Sequence, residues 1–188
     1  MKLHNKNISQ KIRLGKIAVI PTDTIYGLTT NAFLPNSVEK IYQIKKRSPK
    51  KPLIILLSKI SDLALFKVKI DKHTKKIIEE VWPGKVSIIL PCFEEKFHYL
   101  HRGKKALAFR LPAKTNLISL LKITGPLVST SANPEGKTCA KTISKAKKYF
   151  GNSVNLYVDE GLLESSPSTL IKITDGKVKV LRQGEEKI

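Results

Sequence analysis

The stretch from Ile17 to Leu28 constrains the possible fold more than any other part of this chain. It begins with a continuous apolar run, residues 17–20, of the kind that forms a buried strand. Pro21 has no N–H to donate to a neighbouring strand, so the predicted strand ends there. Small hydroxyl residues and one acid follow at residues 22–24. Polar side chains at the end of a buried strand often form the ligand site of an α/β protein, although Asp and Thr also close ordinary turns.

Other apolar runs of strand length alternate with helix-like segments along the chain. Strands are predicted at 52–57, 86–90, 106–112, 156–158, 170–173 and 178–181, with a further short strand within 125–134. Helices are predicted at 5–14, 36–47, 61–66, 72–82, 115–121 and 142–149. Asp175-Gly176 is a hairpin signal between the last two strands. The chain is therefore predicted to be a single α/β domain, residues 1–188, whose sheet is partly parallel and partly antiparallel.

The segments between these elements carry three further predictions. Residues 31–33 form a connector, and Asn36-Ser37 offers the N-cap of the second helix. Residues 94–105 form a polar loop. The loop contains His98 and His101, but these lack a clear third ligand, so no metal site is predicted.

The charge balance indicates anionic partners. The 188 residues include 35 Lys and Arg against 15 Asp and Glu, a formal net charge of +20. A field of this sign attracts nucleic acids or nucleotide phosphates, although a Lys-rich composition would by itself make a surface basic.

Hydropathy and cysteine usage bear on the location of the protein. The chain has no apolar run of membrane-spanning length and no signal-peptide core at its start. Its two cysteines, Cys92 and Cys139, form neither a disulfide framework nor a metal-binding spacing. We therefore expect a cytoplasmic protein with no membrane partner.

A basic cluster lies where the second helix is predicted to end. The residue before a proline favours extended backbone, so this helix should end before Pro49. In an extended segment Lys45 and Arg47 project to the same side, and their charges repel unless an anion joins them. Ser131 and Asn133 repeat this spacing ahead of another proline. The alternative for the basic cluster is a solvated turn.

Arg110 interrupts the apolar strand predicted at 106–112. Because a buried charge is costly unless it is paired, Arg110 needs either an anionic partner or a position at the lip of a pocket.

If the strand ends converge, polar side chains from distant parts of the chain line one pocket. They are Thr22, Thr24, Lys45, Arg47, Arg110, Ser131, Asn133, Ser168 and Arg182. Such cations and neutral donors bind carboxylates or phosphates and stabilise charge in a transition state. The pocket lacks the central histidine or paired carboxylates of acid–base catalysis. Two other site types find little support, because Gly136-Lys-Thr138 lacks the upstream glycine of a P-loop and no Gly-x-Ser-x-Gly motif is present.

Six motifs occur in a characteristic order along the chain. They are Pro-Thr-Asp-Thr-Ile-Tyr-Gly-Leu (21–28), Lys-x-Arg (45–47) with Pro52-Leu, Trp82-Pro-Gly, Phe109-Arg-Leu-Pro, Ser131-Ala-Asn and Leu181-Arg-Gln-Gly. This combination, which extends from Leu14 to Gly184, resembles the YrdC-like threonylcarbamoyl-AMP synthases in their short, single-domain form.

The resemblance implies a fold and a reaction. The fold is a twisted, open α/β sheet with a deep, positively charged concave face. The reaction condenses L-threonine, bicarbonate and ATP, with Mg²⁺, to threonylcarbamoyl-adenylate and pyrophosphate. A tRNA threonylcarbamoyltransferase complex then moves the threonylcarbamoyl group to an adenosine beside the tRNA anticodon.

The resemblance also assigns roles to residues. Those that resemble the nucleotide-binding set of the family are Lys45, Arg47, Ser131, Asn133 and Arg182. Lys45 and Arg47 also resemble its catalytic cations. Those that resemble its threonine-binding set are Thr22, Thr24, Arg110, Ser129 and Ser168.

Two departures from the family pattern and two alternative functions accompany the resemblance. The chain ends soon after Arg182, so no additional C-terminal domain is expected. Longer members tend to have a histidine after the Pro-Leu pair, whereas this chain has Ile54-Ile-Leu-Leu57. The alternatives are an RNA-binding module, in which the basic face contacts tRNA or other RNA directly, and a paralogue without synthase activity.

Overall fold

The computed structural model describes residues 6–174 and 176–188. Six α-helices lie within these residues: α1 Lys6–Arg13, α2 Pro35–Lys45, α3 Lys72–Val81, α4 His98–His101, α5 Thr115–Thr124 and α6 Ile143–Phe150. The same residues contain nine strands: β1 Ala18–Pro21, β2 Tyr26–Asn31, β3 Ile54–Leu56, β4 Val86–Pro91, β5 Ala106–Arg110, β6 Leu127–Ser131, β7 Leu156–Tyr157, β8 Thr169–Thr174 and β9 Lys177–Arg182. Short 3-10 helices lie at Ile60–Phe66, Glu95–Phe97 and Gly151–Ser153.

All nine strands belong to one mixed sheet, in the order β7-β1-β2-β6-β3-β5-β4-β8-β9. The pairs β1/β7, β3/β5 and β4/β8 are parallel, and the other neighbouring pairs are antiparallel. The predicted α/β fold with a partly parallel and partly antiparallel sheet is therefore confirmed. Because β6 lies between β2 and β3, the polar residues near Pro21 and those at the end of β6 meet at one place.

The helices cover the two faces of the sheet unequally. Alternate side chains of a strand point to opposite faces, and one face carries the main core, with Ile55, Phe109 and Val128 fully buried. On the opposite face, α1 and α5 pack a second, smaller cluster against Ala18 and Leu127. This second cluster includes β3 but no described residue of β5, β4 or β8. The same face of those strands is left open, and the candidate site lies there.

The strand β2 was not expected from the sequence, which predicted a polar stretch and a connector at these positions. β2 pairs antiparallel with both β1 and β6 and is buried along its whole length. Its polar residues are hydrogen-bonded: the Thr29 hydroxyl donates to the Val128 carbonyl of β6, and the Asn31 amide donates to the Arg13 carbonyl at the end of α1. The strand escaped prediction because it lacks apolar alternation, which is the signal that marks a half-buried strand.

Local predictions around α2 and α4 were also wrong. The N-cap of α2 is Leu34, followed by a proline that already has a helical φ angle, so Asn36 and Ser37 lie inside the helix. Part of the predicted loop 94–105 is helical. By contrast, the helical segment predicted at 61–66 is confirmed, as the 3-10 helix Ile60–Phe66.

The hairpin between β8 and β9 is confirmed by their antiparallel register. Asp175 of its turn signal lies outside the described residues, as does Asn5 at the start of the first predicted helix.

Candidate active site

A cleft of about 540 Å³ lies on the open part of the sheet. Its floor has an apolar centre, because Ile54, Ala108 and Ile89 lie side by side across β3, β5 and β4. Of the predicted site residues, the following line the cleft: Thr22, Thr24, Arg47, Arg110, Ser129, Ser131, Ser168 and Arg182. Lys45 and Asn133 are instead buried beside Ser131. The fold thus brings together side chains that the sequence scatters over 160 positions.

The turn between β1 and β2 is closed by Thr22. Its hydroxyl donates to the Ile25 carbonyl (2.7 Å) and accepts the N–H groups of Thr24 and Ile25 (3.1 and 3.2 Å). The Thr24 hydroxyl lies 3.0 Å from the same oxygen and 3.3 Å from a guanidinium nitrogen of Arg110. Thr22 therefore closes an ordinary turn, as one interpretation of the sequence expected. The same turn also lines the cleft, which is where the other interpretation, a ligand site, would require it.

Arg110 forms a buried ion pair at one end of the cleft. Its Nη2 lies 3.1 Å from Oδ1 of Asp23, and the two side chains are 4% and 8% exposed. The second oxygen of Asp23 accepts the Ala113 N–H (3.1 Å). Among the described residues, Nε of Arg110 has no hydrogen-bond partner. The anionic partner that the sequence required for Arg110 is thus Asp23, and a buried guanidinium N–H is left free at the site.

Lys45 holds the loop after β6. Its ammonium nitrogen lies 2.8 and 3.2 Å from the carbonyl and hydroxyl oxygens of Ser131. It also lies 2.7 and 3.3 Å from the carbonyl and side-chain oxygens of Asn133. The Asn133 amide nitrogen donates to the Pro134 and Lys137 carbonyls. Lys45 and Asn133 therefore brace the loop that presents Ser131 to the cleft.

The turn that follows α2 orients the Arg47 side chain. The backbone of Lys46 is left-handed (φ 51°, ψ 39°), so the extended geometry that would place Lys45 and Arg47 on the same side does not occur. Arg47 donates from Nε to the Lys51 carbonyl (2.9 Å) and from Nη2 to the Pro52 carbonyl (3.1 Å). These bonds leave other guanidinium N–H groups available on the side that lines the cleft.

Arg182 lines the cleft beside Ser168. It donates to the Ser168 carbonyl (2.7 Å), and the hydroxyls of Ser168 and Ser87 lie 2.9 Å apart. Burial lowers the pKa of Arg182, and Arg47 lowers it further. Burial also lowers the pKa of Arg110; Asp23 opposes that shift and Arg182 adds to it. Arg182 is therefore close enough to both Arg47 and Arg110 for their charges to repel.

No described Asp, Glu, His or Cys lines the cleft. Asp23 neutralises Arg110, whereas Arg47 and Arg182 form no ion pair among the described residues. Cations arranged in this way bind phosphates and carboxylates and stabilise charge that develops on them. Sequence reasoning missed Asp23 as the partner of Arg110, and it also missed Ser87 and Glu135. The sequence showed only that Asp23 is the one acid of its turn and that Arg110 could need an anionic partner; their pairing depends on the order of the strands in the sheet.

A pH dependence follows from Lys45. Burial and, secondarily, Arg47 lower its pKa from 10.5 to about 8. We expect activity to fall as the pH rises through about 8, since deprotonation removes the positive charge and one of the three N–H donors that hold the four oxygens around Lys45. Between about pH 8 and 10.5 the unfolded chain binds the extra proton, so the contribution of Lys45 to the free energy of unfolding rises with pH. Reaction rates and urea unfolding measured between about pH 8 and 10.5 test the expected fall in activity and the expected rise in the free energy of unfolding. Activity that stays level to about pH 10 contradicts the first of these expectations.

Three further findings concern metals, thiols and membranes. In residues 6–174 and 176–188, no cluster of three or more His, Cys, Asp or Glu could hold a metal ion. The rings of His98 and His101 instead pack edge to face, with centroids 5.3 Å apart. Cys92 and Cys139 are free thiols. The described helices include none that is long and apolar enough to cross a membrane.

The fold and the cleft define a class of protein: an α/β domain whose open sheet face carries a cleft lined by arginines and hydroxyls. The sequence model of the Sua5/YciO/YrdC family, described as telomere recombination, matches residues 10–184. The chain belongs to this family.

Two relatives and one solved structure show the extent of the similarity. A relative from Methanocaldococcus jannaschii is 34% identical over 181 residues, which cover 94% of this chain and 84% of the relative. The threonylcarbamoyl-AMP synthase of Pyrococcus abyssi is 29% identical over 175 residues, which cover 92% of this chain and 52% of that protein. The crystal structure of P. abyssi Sua5 complexed with L-threonine matches with a TM-score of 0.88 at 28% identity, covering 97% of this chain and 54% of that chain. This chain thus spans about half the length of the P. abyssi protein.

Proposed function

We propose that this chain is a threonylcarbamoyl-AMP synthase, which condenses L-threonine, bicarbonate and ATP to threonylcarbamoyl-adenylate and pyrophosphate for tRNA modification. The observation that carries the proposal is the meeting of Arg47, Arg110 and Arg182 in one cleft that no described acid lines. The proposal is supported by family membership and by the named synthase of P. abyssi, whose structure holds L-threonine. The phosphates of ATP and the carboxylate of threonine are anionic, and the cleft supplies cations that can bind them.

Threonine binds at the end of the cleft formed by Arg110. The Arg110 guanidinium, already oriented by Asp23, receives the threonine carboxylate on the side that lines the cleft. The Thr24 hydroxyl lies beside the same guanidinium, and Thr22, Ser129 and Ser168 complete the lining. Because the Thr22 hydroxyl is engaged in the turn, Thr24 is the better placed of the two threonines to contact substrate.

ATP binds with its phosphates toward Arg47, Arg182 and Ser131. Threonine's amine combines with bicarbonate to form a carbamate and water. A carbamate oxygen then attacks the α-phosphorus, and the bond to the β-phosphate oxygen breaks, so pyrophosphate leaves with the electron pair. Arg47 and Arg182 stabilise the charge on the phosphates, while Lys45 and Asn133 hold Ser131 in place. Mg²⁺ enters as the counter-ion of ATP, since the cleft itself offers no carboxylate ligand among the described residues.

The adenylate passes to a tRNA threonylcarbamoyltransferase complex, and the reaction takes place in the cytoplasm. Direct contact of the protein with tRNA is a further part of the proposal and rests on the net charge of +20. The second candidate function is that of an RNA-binding module without synthase activity, and it is supported by the same net positive charge. No aromatic residue lines the cleft in the described residues, so that candidate would bind phosphate and shape rather than stack bases.

The test is to incubate the purified protein with ATP, Mg²⁺, bicarbonate and L-threonine, and to leave out each component in turn. We expect pyrophosphate and threonylcarbamoyl-adenylate to form only when all substrates are present. Pyrophosphate release that needs neither threonine nor bicarbonate contradicts the proposal. Salt-sensitive RNA binding without any adenylate formation favours the second candidate.

A further inference from the structure

Glu135 joins the two loops that flank the cleft, and the proposed reaction gives it no role. One carboxylate oxygen accepts the Ser48 N–H (2.6 Å), and the other forms an ion pair with Lys51 (2.5 Å). The backbone N–H of Glu135 donates to the Lys45 carbonyl (2.8 Å). Glu135 does not line the cleft among its described wall residues. Its contacts instead fasten the loop after β6 to the basic turn after α2.

The contacts of Glu135 lead directly to Arg47. Lys51, whose ammonium pairs with Glu135, supplies the carbonyl that accepts Nε of Arg47. The Lys51 N–H in turn donates to the Ser48 carbonyl (3.1 Å). Glu135 thus holds both ends of the short turn, Ser48 to Lys51, on which the Arg47 guanidinium rests.

Electrostatic repulsion within the same turn would displace it if the Glu135 carboxylate were removed. The turn carries Lys46, Arg47, Lys50 and Lys51 within six residues. In residues 6–174 and 176–188, Glu135 is the sole carboxylate that forms an ion pair with this turn. The bond from Lys51 and the bond from the Ser48 N–H hold the pKa of Glu135 below its usual value, so the carboxylate stays charged near neutral pH. Without that charge, four neighbouring cations repel with no neutralising group.

We propose that Glu135 is a positioning residue of the nucleotide site, which fixes the basic turn 46–51 so that Arg47 faces the phosphates of ATP; this inference rests on the proposed function. Glu135 acts through the Lys51 and Ser48 contacts and touches no substrate. Its effect is therefore on the binding of the nucleotide, while the threonine end of the cleft, at Arg110, is unaffected.

The test compares Glu135→Gln with a matched control, Glu164→Gln. Glu164 is exposed and pairs with Lys141 at 3.8 Å, away from the cleft. We expect Glu135→Gln to raise the KM for ATP and to lower kcat/KM for ATP by about a hundredfold, the loss that follows misplacement of an orienting group. The KM for threonine and the melting temperature should match those of Glu164→Gln.

A double-mutant cycle with Arg47→Ala separates positioning from general stability. If Glu135 acts through Arg47, then Glu135→Gln adds nothing further to the loss caused by Arg47→Ala. Additive losses, or an ATP KM equal to that of the control, overturn the inference. Should Glu135→Gln fail to fold, Glu135→Asp keeps the charge on a shorter side chain and is judged by the same cycle.

Failure of the inference and failure of the proposed function give different results. If the wild-type protein forms no adenylate, the proposed function fails, and titration with a fluorescent ATP analogue still measures nucleotide affinity in both variants. Weaker binding in Glu135→Gln alone supports the positioning role, and equal binding in the two variants overturns it.

Discussion

Replacement of Arg47 by alanine is expected to lower kcat/KM for adenylate formation by about two to three orders of magnitude, the cost of removing one preorganised donor to developing charge. Arg47 lines the cleft, and its guanidinium donates to carbonyls rather than to a carboxylate, so its charge is available to phosphate. The fold should survive, because these bonds lie within one turn and the left-handed residue that ends α2 is Lys46. Steady-state rates and circular dichroism of the variant measure the two effects.

The matched control for this variant is Lys46→Asn. Lys46 is exposed, and asparagine tolerates its left-handed backbone, so the substitution removes one neighbouring positive charge without strain. Its kcat/KM should stay within a few-fold of wild type, because exposed charges are screened by salt. A fully active Arg47→Ala protein would rule out the assigned role.

Replacement of Arg110 by methionine is expected to lower the free energy of unfolding by about 3–5 kcal/mol, since it leaves a buried carboxylate without its partner. Asp23 is 8% exposed and has no other ion pair in the described residues. The same change should abolish threonine binding, because it removes the guanidinium at that end of the cleft. Urea denaturation and calorimetric titration with L-threonine provide the two measurements.

The double variant Asp23→Asn with Arg110→Met separates these two losses. Asparagine keeps an oxygen for the Ala113 N–H but carries no charge, so most of the lost stability should return. Threonine binding should remain absent. If the double variant is no more stable than Arg110→Met, the buried charge is not the cause of the instability; if it still binds threonine, Arg110 is not the carboxylate ligand.

Much of the fold could be predicted from apolar periodicity. Eight of the nine strands in the described residues coincide with predicted runs, because their apolar residues follow one another or alternate with polar ones. β2 was the exception. Its Gly27, Thr29 and Asn31 carry no apolar signal, and they are buried because neighbours on both sides satisfy their hydrogen bonds.

The composition of the candidate site could also be predicted from residue chemistry, since most of the predicted polar residues do line one cleft. The roles of the individual residues could not be predicted in the same way. Lys45 and Arg47 look equivalent in the Lys-x-Arg spacing, yet Lys45 is buried against Ser131 and Asn133 whereas Arg47 lines the cleft. The left-handed backbone of Lys46 between them produces this difference, and an extended segment would have placed both on one side.

The sequence by itself determined the α/β class, the positions of most elements and the set of cations and hydroxyls, because these depend on local periodicity and on residue chemistry. The tertiary structure alone decided which charges are neutralised: Asp23 pairs with Arg110 and Glu135 with Lys51 across 87 and 84 positions of the chain. Ion pairs at such separations depend on how strands are ordered in the sheet. That order follows from the packing of the whole core, which no local pattern in the sequence encodes.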